Sequence, residues 1–141
     1  MAFTPGQTAT KSYCFDTATI IAYATLAGDL NALHHDEVVA GASRFHGLIA
    51  CGSHMSGVLM GFGASIVSRD HPAVGLEFTF RFERAIPAGT HTTLSWTVTS
   101  AEPHAKLGGT MLVMDGAITG ADGTRYVSST GRAVVWDRQP A

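Results

Sequence analysis

The sequence predicts an α+β fold, and two observations carry that expectation. Apolar residues recur at helical spacing in the first half of the chain, and strand-like alternation takes over after Pro72. Just before that change lies a glycine-rich helix with apolar residues on most of its faces, which belongs in an interior.

The elements follow in order. Asp16 or Thr17 can cap a first helix over Ile20, Ile21, Tyr23, Ala24 and Leu26, whose spacing makes one apolar stripe. Gly28 ends it by adopting a conformation that side chains resist. A polar loop runs from Asp29 to His35, and Asp36 to Ala42 reads as a short helical piece. Gly52 to about Val67 forms the second, longer helix, with Gly57, Gly61, Gly63 and Ala64 among bulky apolar residues. A glycine inside a helix costs about 1 kcal/mol relative to alanine. Several together imply close approach of another backbone or of a ligand.

Beyond Pro72, residues Leu76 to Glu83 alternate apolar with polar or charged, as a half-buried strand does. Pro87-Ala88-Gly89 makes a turn, and strands follow over His91 to Ser100, Thr110 to Thr119 and Arg125 to Trp136. Asp122-Gly123 marks a hairpin between the last two. The first third is therefore expected to be helical, and the rest an antiparallel meander. A buried helix and several strands are both satisfied if the sheet curls around the helix.

The chain has 141 residues, enough for one domain over 1–141 with a substantial core. Charged residues make up only 14% against 45% hydrophobic, which points to a surface covered by another subunit. A formal charge of -2 without a Lys or Arg run argues against nucleic acid as a partner. Cys14 and Cys51 form no CxxC pair and are expected as reduced thiols of a cytoplasmic protein. The first residues lack the basic start and apolar run of a signal peptide, so none is expected. The most apolar stretch, Leu48 to Val67, is broken by glycines, serines and a histidine, which argues against a membrane span.

The chemistry is concentrated between Tyr23 and Ala40. An acid (Asp29), an amide (Asn31) and an imidazole (His34) stand within six residues, directly after a helix end. A carboxylate and a neutral imidazole about 3 Å from one water can orient it and move its protons. Hydration of a double bond conjugated to a thioester needs that arrangement, and donors where enolate charge develops. The helix start at Cys51-Gly52 can supply a backbone N–H there. The plainer reading is local: Asp29 closes the loop, and His34 is a buried histidine donating to a carbonyl.

The stretch Leu26-Ala27-Gly28-Asp29-Leu30-Asn31-Ala32-Leu33-His34, with Ala40 six residues on, resembles the hydratase motif of MaoC-like dehydratases and (R)-specific enoyl-CoA hydratases. Ser43 to Gly52, and Phe78-Thr79-Phe80-Arg81-Phe82 through Gly89, are similar to the segments around that family's central helix and following strand. The resemblance spans essentially the whole chain. It implies a hot-dog fold, a curved antiparallel sheet around a long helix, and a homodimer or higher homo-oligomer. It implies Asp29 and His34 as the catalytic pair, with Asn31, Gly52 and His54 as substrate-site residues. Within that set Gly52 N–H would hold the thioester carbonyl, and Asn31 would support the loop. His54 fits core packing as readily as a substrate contact. The substrate would be an acyl-CoA thioester, so coenzyme A enters with the substrate and no separate cofactor or metal is expected.

There are departures. Ala32 stands where the family has Pro, and Met60 aligns with a serine that some bacterial members carry near the pair. His35 is expected to face solvent. Arg44, Arg69, Arg81, Arg84, Lys106 and Arg132 are all open as phosphate contacts. Two rival readings use the same fold: a thioesterase, which would release free thiol, and a non-catalytic acyl-binding subunit.

Overall fold

The computed structural model describes residues 3–138. The elements are β1 (Thr8–Phe15), α1 (Thr17–Ala27), α2 (Glu37–Ala42), α3 (Gly52–Val67), β2 (Ala73–Phe82), β3 (Thr90–His104), β4 (Gly109–Gly120) and β5 (Arg125–Val135), with a 3-10 turn at Ala32–His34. The strands form one antiparallel sheet in the order β1-β3-β4-β5-β2. Strands β3, β4 and β5 are the expected meander. Two features correct the sequence reading: the chain begins with a strand, and β2 pairs with the last strand of the meander rather than the next one.

Alternation builds the inner face of the sheet. Leu94, Trp96 and Val98 of β3, Leu112, Met114 and Ile118 of β4, and Val127, Ala133 and Val135 of β5 are buried. Met55, Leu59 and Val67 of α3 pack onto them and complete the core. Register shifts in three strand pairs, at Gly75/Glu77, Val98/Ser100 and Ile118/Thr119, bend the strands around the helix.

Two of the glycines in α3 answer to packing. A Cβ on Gly63 would lie 2.8 Å from Trp96 Nε1, which donates to the Leu59 carbonyl at 2.8 Å. A Cβ on Gly57 would run into the Tyr23 hydroxyl. Gly61, by contrast, faces open space. Among the described residues, no helix is long and apolar enough to cross a membrane.

Candidate active site

The loop after α1 starts from a helix stop. Gly28 sits in the left-handed region at φ 73°, where a residue without a Cβ is unstrained. Its N–H reaches the Thr25 carbonyl at 3.1 Å and the next N–H, of Asp29, reaches back to Ala24 at 2.9 Å. This paired closure is the Schellman arrangement. It delivers Asp29 at a fixed angle to the end of α1.

Asp29 then gains further partners. The Asn31 backbone N–H donates to its Oδ1 at 3.1 Å, and Oδ2 lies 3.4 Å from His34 Nε2. His34 Nδ1 is 2.7 Å from the Ile49 carbonyl. A carbonyl only accepts, so Nδ1 carries the hydrogen and the neutral ring presents its Nε2 lone pair towards Asp29. The Asp29 side chain is 37% exposed and that of His34 only 7%. One group of the pair is therefore open to solvent and the other is held by the fold. The Asn31 side chain accepts from Leu33 N–H at 3.1 Å, so it caps the 3-10 turn and both of these bonds stay within the loop.

His34 and Gly52 line one cleft of about 350 Å³, with Met55, Phe45, Phe82 and Arg84. The cleft receives the start of α3, whose N-cap residue Cys51 gives no side-chain hydrogen bond to the helix backbone, its Sγ lying 3.3 Å from Ser53 Oγ instead. The first N–H groups of the helix thus keep their capacity for an anionic oxygen. A Cβ on Gly52 would meet the Phe82 ring at 3.4 Å, ordinary contact, so packing alone does not require glycine there.

Other expectations are corrected by the geometry. His54 is fully buried and faces away from the cleft, because it stands about 200° around the helix from Gly52. Its ring stacks on Tyr23 at 4.6 Å, and its Nε2 bonds the Tyr13 hydroxyl at 2.8 Å. Met60, two turns beyond Gly52, lines a separate apolar cleft of about 370 Å³ between α3 and β2. It does not line the cleft of His34. His35 does not simply face solvent: it is partly buried and its Nε2 lies 2.6 Å from the Asp29 carbonyl. Of the basic residues left open by sequence, Arg84 lines the His34 cleft, and Arg44 lies 5.7 Å from the ring of Phe45. No local pattern in the sequence distinguishes Arg84, since it reaches the cleft from the turn after β2.

Comparison with known proteins agrees with this architecture. The family model for the MaoC like domain matches residues 3–118. The (R)-hydratase of A. caviae involved in PHA biosynthesis superposes with a TM-score of 0.84 at 21% identity, over 94% of this chain and 97% of that one. The unliganded R-hydratase PhaJ1 of Pseudomonas aeruginosa gives 0.83 at 19%, over 99% and 88%. A MaoC-like dehydratase from Rhodospirillum rubrum gives 0.81 at 20%, over 98% and 96%. A search of curated proteins by sequence finds no match. At these identities the superpositions establish the hot-dog fold, and the family match covers most of the chain. The chain belongs to the MaoC-like family.

Proposed function

We propose that the protein adds water reversibly across trans-2-enoyl-CoA thioesters, giving (R)-3-hydroxyacyl-CoA. The observation that carries this reading is the Asp29–His34 pair at 3.4 Å, with His34 and Gly52 lining a single cleft. Asp29 Oδ2 and the bare His34 Nε2 are both acceptors. A water between them donates both hydrogens and turns a lone pair towards C3 of the substrate. As the O–C3 bond forms, the C2=C3 electrons move to the thioester oxygen. Gly52 N–H and the start of α3 stabilise that charge. The water proton passes to Asp29, with His34 orienting the water and sharing the proton. The enolate then collapses, C2 takes up the proton held by the Asp29–His34 pair, and the pair thereby returns to its starting state. The chemistry calls for no metal or redox group. The (R) outcome is the activity named for two proteins of the same fold.

The test is loss of enoyl-thioester absorbance with crotonyl-CoA and longer analogues, with free thiol followed in parallel. Wild type is expected to consume the enoyl group without releasing thiol, and chiral analysis to give the (R) alcohol. Asp29→Asn is expected to lower kcat by roughly 10²–10⁴-fold. Thiol release in place of hydration would establish the thioesterase, and no turnover with any chain length would reject the hydratase.

A further inference from the structure

Three hydrogen bonds hold Asp29. Its N–H reaches Ala24, its Oδ1 accepts from Asn31, and its carbonyl accepts from His35 Nε2 at 2.6 Å, while its Oδ2 faces His34. The carbonyl contact is the shortest of the three. It also closes a ring from residue 35 back to residue 29, around the turn that carries His34.

Packing does little for this stretch. Leu30 is 83% exposed and Asn31 is exposed, so hydrogen bonds alone decide where the Asp29–Leu30 peptide lies. From this we infer that His35 is a positioning residue for the reaction proposed above, acting through the backbone of Asp29. The inference rests on that reaction being the protein's own. The Asp29 carbonyl can only accept, so the His35 ring carries its hydrogen on Nε2. His34 bonds the Ile49 carbonyl through Nδ1. When neutral, the adjacent histidines are thus fixed in opposite tautomers by two backbone carbonyls. One clamp leaves Nε2 of His34 bare for the water, and the other holds the carboxylate beside it. Without the His35 bond the Asp29–Leu30 peptide loses the contact at its carbonyl and is held only by the Asp29 N–H and the Asn31 N–H bonds on either side. A displacement of about 1 Å at a reacting group costs on the order of 100-fold in rate.

Two measurements separate this role from the reaction it serves. The first needs no turnover: in protein labelled with ¹⁵N-histidine, His35 is expected to show a slowly exchanging ring proton on Nε2. A proton on Nδ1, or one exchanging at the rate of a free imidazole, overturns the clamp. The second is kinetic, with crotonyl-CoA. His35→Ala is expected to lower kcat roughly 10- to 100-fold while KM changes less than about twofold. His35→Gln places an amide N–H near the lost donor and is expected to recover most of kcat. In an Asp29→Asn background His35→Ala is expected to cost nothing more, because it acts through Asp29. An unchanged kcat, a change confined to KM, or a Gln variant no better than Ala would overturn the proposal. A wild type with the retained Nε2 proton but no hydration of any enoyl thioester would refute the reaction and leave the clamp standing.

Discussion

His34 and His54 are both buried, yet their surroundings assign them opposite tasks. His34 has a carbonyl on one nitrogen and a carboxylate near the other, an environment able to handle a proton. His54 lies among Phe15, Tyr13 and Tyr23, and its Nδ1 has no partner. Burial pushes its pKa down to about 4, with Asp16 opposing weakly from a distance. The unfolded chain takes up a proton near pH 6.5 that the folded chain refuses until about pH 4. The neutral ring's contribution is therefore complete above pH 6.5 and is lost as pH falls towards 4. The loss amounts to roughly 2–3 kcal/mol. Urea midpoints measured from pH 7 to 4.5 are expected to fall steeply for wild type. His54→Gln, which keeps a partner for Tyr13, should flatten that fall; parallel curves would show that His54 titrates normally. The sequence left His54 open between core and substrate, because periodicity tells which residues share a helix face but not what the opposite face meets. Asp29 and His34 are legible for the opposite reason. Their spacing is local, set by one helix stop and one turn, and it survives as a motif. The part played by His35 has no such signature, since it depends on a ring turning back onto a backbone carbonyl.

At the scale of the element, the stop of α1 matters more than its body. Ile20 and Ala24 are buried, but Leu26 is 89% exposed, so the apolar stripe expected along this helix covers only its first turns. The Schellman closure at Gly28 then directs the chain into the loop. Space is open around a Cβ at this position, so replacement acts through backbone strain alone. Gly28→Ala is expected to cost about 1–2 kcal/mol in urea unfolding, and Gly28→Asn less, since Asn tolerates the left-handed region. Equal losses for the two variants would mean that φ is not the cause. The longer elements of the fold were readable from pattern, with α3 matching its expected bounds and β3 to β5 close to theirs. Strand β1 was not readable. Thr8–Phe15 is an edge strand whose first residues are mostly exposed and polar, and only Tyr13 and Phe15 carry apolar side chains to the interior, so alternation barely shows. In β2 the alternation of Leu76 with Phe78 and Phe80 suggested one inward face. The irregularity between Gly75 and Glu77 takes Leu76 out of register and leaves it 48% exposed.

The two edges of the whole sheet differ in a way that bears on assembly. The β1 edge presents threonines, Ser12 and Lys11, a polar row in which the Lys11 charge discourages pairing with another strand. The β2 edge presents Val74 at 49% exposure, Leu76 at 48% and Phe82 at 50%, and beside it α3 exposes Met60 at 38%. Between them lies the apolar cleft lined by Gly61, Ala64 and Phe78. A second copy related by a two-fold axis would pair β2 with β2 and set small residues of one α3 against the other subunit. That contact also suits the low charged fraction of the chain, 14%. Phe82 lines the His34 cleft as well as the edge, so the same contact would wall a site that is open in the single chain. The expected species in sedimentation equilibrium is twice the 14.8 kDa chain. Leu76→Lys, a charge on the exposed edge and outside the cleft, is expected to shift the protein to monomer. The fold should survive, because Leu76 is half exposed and contributes little to the core. Hydratase activity should fall with the dimer fraction and return at high protein concentration. A wild type that stays monomeric at about 100 μM, or a monomeric Leu76→Lys variant with full activity, would show that the cleft is complete within one chain.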